Sequence, residues 1–153
     1  MSFSPDIRIL SGFSGLNFGQ SVTEAKELFG APEEEEELND EILNASSCVF
    51  HYWENGFSLF FDNFNNKVFN SVEVDNPQTV LFGKKIFSLK EKELIELLAQ
   101  NGYKLTDSEN HDWGEKRISF DEANLDFYFQ NGKLVSVNFG APEINNNIYF
   151  SPN

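Results

Sequence analysis

The sequence predicts an α+β fold in which helices pack on one face of an antiparallel sheet. A helical pattern that begins with a capping box occurs twice, and each occurrence precedes segments in which apolar and polar residues alternate. Turn residues divide these segments into short strands. We therefore expect a single domain over residues 1–153, built from two pseudo-repeats and a short C-terminal tail.

The first helix is predicted from the capping box Ser21-Val22-Thr23-Glu24, which places its start near Ser21. Apolar residues then recur at helical spacing, at Val22, Ala25, Leu28 and Phe29. Gly30 and Pro32 predict where this helix ends, because neither residue continues a helix easily.

Five consecutive glutamates, Glu33 to Glu37, follow this helix. Because like charges in a block repel one another, we expect a solvated loop or a short exposed helix. The alternative is that the run is a docking site for a basic partner. We do not expect a metal site, because a flexible run offers no fixed set of oxygen ligands.

Each half is predicted to continue from its helix into a three-stranded antiparallel meander. The segments are 47–53, 57–63 and 67–74 in the first half, and 115–120, 125–131 and 133–139 in the second. A second capping box, Ser88-Leu89-Lys90-Glu91, is expected to open the second helix. The halves span about 12–76 and 79–140, joined at Asn76-Pro77-Gln78. The predicted core contains Val22, Leu28, Phe57, Leu59, Phe61, Leu94, Leu98, Phe127 and Phe129.

The segment GQSVTEAKELFGAP, followed by a meander, resembles the repeat of beta-lactamase inhibitor proteins and of small lipoproteins of the outer-membrane assembly machinery. This resemblance implies that two such halves place their sheets side by side and offer one broad face to another protein. The second half ends its helix with Asn-Gly-Tyr instead of Gly-x-Pro. The inhibitors' disulfides and the lipoproteins' acylated cysteine have no counterpart, so neither specific activity is carried over.

No catalytic motif is present: the chain has no glycine-rich phosphate loop, no GxSxG and no HExxH. Cys48 and His51 are three residues apart in a predicted strand and should point to opposite faces, so they do not predict a zinc pair. Glu109, His111 and Asp112 form a polar group that we interpret as a loop. We predict no catalytic residue, no metal and no cofactor.

The formal charge of −14 determines which partners are plausible. Nucleic acids and anionic membranes would be repelled, whereas a basic protein would be attracted. No stretch approaches the roughly 18 apolar residues of a membrane-spanning helix. The chain has one cysteine and no signal-type N-terminal pattern, which predicts a cytoplasmic protein.

The residues opposite the core-facing positions predict a binding surface on the other face of the sheet. The candidate anchors are Tyr52 or Trp53, Phe60, Phe69 and Tyr128, with an acidic rim of Asp62, Glu73 and Asp126. We expect a non-catalytic protein-binding module, of inhibitor or immunity type. Coverage of this face by the chain's own tail, by the acidic segment or by a homodimer partner stays open. A small-ligand binder or enzyme with a carboxylate-lined pocket between sheet and helices also stays open.

Overall fold

The computed structural model describes residues 4–40, 45–63, 67–144 and 147–148, and shows an α+β fold whose sheets are mostly antiparallel. No helix within these ranges is long and apolar enough to cross a membrane. In chain order the helices and strands are β1 (Asp6–Arg8), β2 (Gly12–Phe13), β3 (Leu16–Asn17), α1 (Val22–Phe29), β4 (Glu34–Asp40), β5 (Ala45–Tyr52), β6 (Phe57–Asn63), β7 (Phe69–Val74), β8 (Val80–Leu81), β9 (Lys84–Lys85), α2 (Glu91–Gln100), β10 (Asp107–Asn110), β11 (Glu115–Phe120), β12 (Leu125–Gln130), β13 (Lys133–Gly140), β14 (Glu143–Ile144) and β15 (Asn147–Ile148).

Eight strands form the large sheet, in the order β10-β11-β12-β13-β7-β6-β5-β4. Each neighbouring pair is antiparallel, and the two meanders meet where Val74 of β7 lies opposite Val137 of β13. Each meander has four strands, not the predicted three, because β4 and β10 add an outer strand at each edge. Both of these strands are polar and lack the alternation by which strands are recognised in a sequence.

The glutamate run is an edge strand, so the prediction of a loop or a short exposed helix is wrong. Glu34 to Asp40 pair residue by residue with β5. Alternation sends successive carboxylates to opposite faces, so same-face neighbours lie about 7 Å apart and repel less than a compact block would. On the helix-facing side, the Glu35 carboxylate lies 2.8 Å from the Lys26 amine. The Glu37 carboxylate lies 2.7 Å from the Lys67 amine. Backbone pairing and these two lysines together offset the repulsion.

Helix α1 confirms the prediction from its capping box. The hydroxyl of Ser21 accepts a hydrogen bond from the Glu24 N–H, and the Glu24 carboxylate accepts one from the Ser21 N–H. Gly30 ends the helix with a φ of 81°, in the region that favours glycine.

Helix α2 begins two residues later than its capping-box motif predicts. Ser88 lies at the end of a 3₁₀ turn, Ile86–Ser88, and its hydroxyl donates to the carbonyl of Lys85. Lys90 therefore takes the N-cap position. Its side chain has no acceptor atom, so only the reciprocal bond forms, in which the Glu93 carboxylate accepts from the Lys90 N–H at 2.8 Å.

A single core lies between the large sheet and the helices. The predicted residues Phe57, Leu59, Phe61, Leu94, Leu98, Phe127 and Phe129 are buried in it, and Val22 packs at its border. Leu28 is wrong as a core residue, because its side chain is 49% exposed. Ala25 and Phe29 face the sheet, and Leu28, one position before Phe29, lies on the flank of the helix.

The N-terminal strands β1 to β3 form a small second sheet with β8 and β9, in the order β3-β2-β1-β8-β9. Its Phe13 ring lies 4.9 Å from the ring of Phe57, centroid to centroid, so this sheet covers the same face of the large sheet as the helices. In the C-terminal tail, β14 and β15 pair with each other in a two-stranded antiparallel sheet.

Candidate functional site

The face of the large sheet that points away from the helices and the small sheet is called here the outer face. Strand pairing places a row of polar residues across it, one from each of the eight strands. In sheet order from β4 to β10 these residues are Glu34, His51, Ser58, Glu73, Asn138, Asp126, Ser119 and Asp107. The outer face is therefore polar through its middle, unlike the apolar inner face.

Negative charge dominates the outer face. Among the described residues it carries the carboxylates of Glu34, Glu36, Asp62, Glu73, Asp107, Glu109, Glu115 and Asp126. In the described part of the chain, the permanent cations on the same face are Arg117 and Lys133. A partner that reached the outer face would therefore meet a surface of net negative charge.

Arg117 neutralises part of this charge at the β10 edge. One guanidinium nitrogen donates to Asp107 at 2.9 Å and to Glu109 at 3.0 Å, and another lies 3.9 Å from Asp126. Hydrogen bonds to Asp107 and Glu109 raise the pKa of Arg117 further above its usual range, so it stays charged. Toward the middle of the sheet, no ion pair involving Glu73 occurs in the part of the chain that the structure describes.

Three of the predicted aromatic anchors lie on the outer face. The indole of Trp53 is 59% exposed and stacks on the imidazole of His51 at 4.2 Å. Phe60 and Tyr128 are half-buried, and burial is the main cause that raises the pKa of Tyr128. The predicted acidic residues Asp62, Glu73 and Asp126 also lie on this face.

Tyr52 is wrong as an anchor, because it points into the core. It is 3% exposed, its hydroxyl donates to the carbonyl of Gly30 at 2.8 Å, and its ring stacks on Phe57 at 4.8 Å. Burial, with Glu35 and Glu33 nearby, raises the pKa of Tyr52 to about 12. Of the Tyr52–Trp53 pair, only Trp53 is available to a partner.

Phe69 is also wrong as an anchor, because it is fully buried. A β-bulge causes the difference: Phe60 lies opposite Ser71, whereas the next residue, Phe61, lies opposite Phe69. The extra residue, Asn70, shifts the alternation by one position, so Phe69 joins Val72 on the inner face. Its ring contacts that of Phe18, with the centroids 4.9 Å apart.

The remaining aromatic anchors do not form one continuous patch. Phe60 and Tyr128 lie three strand spacings apart, or about 14 Å across the sheet. Glu73, Asn138 and Asp126 occupy the space between them. The acidic residues therefore separate the aromatic rings, whereas the sequence had suggested a rim around them.

Two shallow cavities mark this part of the outer face. The first has a volume of about 230 Å³ and is lined by Phe60, Ser71, Val72, Glu73, Asn124, Asp126, Asn138, Phe139 and Gly140. The side-chain oxygen of Asn138 is buried and has no hydrogen-bond partner among the described residues. The second cavity, of about 210 Å³, lies beside His51 and Trp53 and shares Glu73 with the first. Both cavities combine carboxylates with an aromatic wall, a combination that suits a basic side chain with a long apolar stem.

One group of side chains in the described ranges could hold a metal ion: Glu34, Glu36 and His51, whose ligand atoms lie within 4.8 Å of one another. Sequence reasoning missed it because it treated the glutamate run as flexible. As predicted, Cys48 faces the core and His51 the outer face, so the two do not form a pair. The pairing of Glu34 with His51 depends on the register of the β4–β5 hairpin, which no motif in the sequence reveals.

Another cavity, of about 420 Å³, adjoins the first and shares Asn124 and Asp126 with it, and no residue of the two helices lines it. It is lined by Leu10, Asp121, Glu122, Asn124, Leu125, Asp126 and Pro142. The region between the large sheet and the helices is filled by core side chains.

No protein-family model, no curated protein and no solved structure matches the chain.

Proposed function

We propose that this protein is a non-catalytic protein-binding module whose outer face binds a basic segment of a partner protein. One observation carries the proposal: the cavity of about 230 Å³ on the outer face combines the Phe60 ring, two carboxylates and a buried acceptor without a partner. Glu73 and Asp126 lie on either side of Asn138, about 10 Å apart across two strand spacings. A guanidinium group between them would be attracted by both carboxylates, and a rotation of the Asn138 amide would turn its oxygen toward the same group.

The contacts that such a group would make are favourable for physical reasons. The apolar stem of a lysine or arginine would pack against Phe60 while its charged end reaches the carboxylates. The Asn138 oxygen would gain the hydrogen bond that it lacks, which removes the cost of a buried unpaired acceptor. The other outer-face carboxylates would attract a basic partner from a distance and increase the association rate.

An inhibitor or immunity-type role suits this surface within the wider class of protein-binding modules. The active face of a basic enzyme or toxin would be complementary to the outer face in charge. Trp53 and Tyr128, about 19 Å apart across four strand spacings, would contact the partner on both sides of the central cavity.

We also propose that the two helix-plus-meander units arose by duplication, as in the repeats that the first half resembles. Support comes from the equivalent order of helix and meander in both units and from their meeting at β7 and β13. Such a duplication would join two small sheets into one sheet with a broad face. Protein recognition requires a surface of this kind.

A small-ligand site or active site between the sheet and the helices has less support. That region contains packed apolar side chains, so it offers neither space for a substrate nor convergent carboxylates. The cavity of about 420 Å³ contains Asp121, Glu122 and Asp126 but lies at the strand ends, outside the region between the sheet and the helices.

The proposal can be tested by affinity capture from a lysate of the source cell, followed by binding measurements with the purified partner at low and high salt. We expect a partner rich in lysine and arginine whose association slows as salt rises. The double variant Glu73→Gln/Asp126→Asn should weaken binding, and Phe60→Ser/Tyr128→Ser should abolish it while leaving the fold intact.

A matched control removes the same charge from the other side of the molecule. Glu27→Gln/Glu96→Gln changes two exposed helix residues and should leave binding unchanged. The outer face is not the binding surface if this control weakens binding as much as the outer-face variant does. The same holds if neither variant changes the affinity for the captured partner.

A further inference from the structure

The strand β4 places Glu34 and Glu36 on the outer face, two residues apart, with His51 of β5 directly opposite Glu34. His51 Nε2 lies 3.3 Å from a carboxylate oxygen of Glu36 and 4.0 Å from one of Glu34. In a tetrahedral metal site with bonds of about 2.1 Å, neighbouring ligand atoms lie about 3.4 Å apart. The distance from His51 to Glu36 matches this spacing, whereas the exposed Glu34 carboxylate would have to turn toward the other two ligand atoms for one ion to contact all three.

His51 Nε2 is shielded from solvent and has no hydrogen-bond partner among the described residues. Its distance to Glu36 is in the range of an ion pair, but the geometry is not that of a hydrogen bond. The side chain is only 12% exposed, so water does not readily satisfy this nitrogen. A buried nitrogen that faces two carboxylates needs a cation between them, either a proton or a metal ion.

Two neighbours hold the imidazole ring in a fixed orientation. On the side away from the glutamates, Nδ1 lies 2.7 Å from the hydroxyl oxygen of Ser58. The Trp53 ring stacks on the imidazole with an angle of 8° between the planes. When Nδ1–H donates to Ser58, the Nε2 lone pair points at the carboxylates, which is the tautomer that a metal ligand requires.

We propose that His51, Glu34 and Glu36 form a binding site for a divalent transition-metal ion of the zinc class. One imidazole nitrogen and two carboxylate oxygens are ligands that suit zinc, whereas calcium and magnesium prefer oxygen alone. The two carboxylates balance the charge of the ion. The exposed glutamates leave a fourth position for water or for a ligand from another molecule.

The test is calorimetric titration of the untagged protein with zinc chloride near neutral pH. We expect one zinc ion per chain and a melting temperature that rises with zinc. His51→Gln and Glu34→Gln/Glu36→Gln should each lower the affinity at least about tenfold, and Ser58→Ala should lower it less.

Matched controls separate a built site from general attraction to acidic residues. Glu35→Gln/Glu37→Gln removes the same charge from the same strand on its inner side, and His111→Gln removes the other histidine. Both controls should keep the wild-type affinity. Cobalt(II) adds a second readout, because a tetrahedral site containing nitrogen gives an intense visible spectrum that His51→Gln should abolish.

Either of two results would overturn the proposal. In the first, the inner-side control loses as much zinc affinity as the outer-side variant, which would indicate diffuse binding to the acidic strand. In the second, zinc changes the melting temperature of the wild-type protein no more than that of His51→Gln, which would show that these three side chains do not hold the ion.

Discussion

Phe69→Ala tests the register of the large sheet, because the β-bulge alone determines whether this ring is buried. Phe69 is fully buried and packs against Phe18 and Phe61, with centroid distances of 4.9 and 5.8 Å. Removing a buried phenylalanine ring costs about 3 to 5 kcal/mol through lost transfer free energy and the cavity that remains. For a domain of this length, that loss corresponds to a melting temperature lower by about 6 to 20 °C.

Phe60→Ala is the matched control, because it removes the same ring from a residue close by on the neighbouring strand. Phe60 is half-buried on the outer face, so its truncation should cost only about 1 kcal/mol. Urea unfolding followed by circular dichroism suits both variants, because Trp53 and Trp113 are already exposed and their fluorescence would change little. If the two variants lose equal stability, or if Phe60→Ala loses more, then the bulge and the assignment of the outer face are wrong.

Two further predictions concern pH and the acidic strand. Tyr52 in the folded protein keeps its proton up to a pKa of about 12, whereas an unfolded tyrosine loses it near pH 10. The free energy of unfolding should therefore fall by about 2 to 3 kcal/mol as the pH rises through this window. In Tyr52→Phe this fall, measured by urea unfolding, should be smaller. An equal fall in both proteins would contradict the burial of this hydroxyl. Replacing Glu33 to Glu37 by glutamine should change the melting temperature little, because the exposed pairs with Lys26 and Lys67 contribute about 0.2 to 1 kcal/mol each and the carboxylates repel one another. A large loss in a thermal melt would show that these charges hold the strand in place.

The meanders could be predicted because alternation and turn residues are local signals. Phe57, Leu59 and Phe61 alternate with polar or outward-facing residues, and the strands lie close to where this pattern places them. Strands β4 and β10 could not be predicted this way, because they contain almost no apolar residues and depend on a neighbouring strand for their pairing. The two-residue strands of the small sheet are too short to leave a periodic pattern.

The candidate site was predictable only in part, for similar reasons. Alternation correctly placed Phe60 and Tyr128 on the outer face, and left Tyr52 and Trp53 as alternatives. Phe69 was misplaced because a bulge changes the phase of alternation without changing the residues that surround it. The Glu34–Glu36–His51 group arises from tertiary pairing, which the linear order of the residues does not show.

The acidic edge strands also bear on how this sheet behaves at high concentration. An exposed edge has backbone groups that another chain's edge can join, which is a route to open-ended assembly. If two copies joined through β4, their glutamate runs would lie against each other, and β10 would likewise bring Asp107 and Glu109 against their own copies. Charge repulsion at both edges of the sheet therefore disfavours edge-to-edge pairing of copies. Adding salt or lowering the pH would weaken the repulsion between these edge strands. We therefore expect fibres to form more readily under acidic conditions.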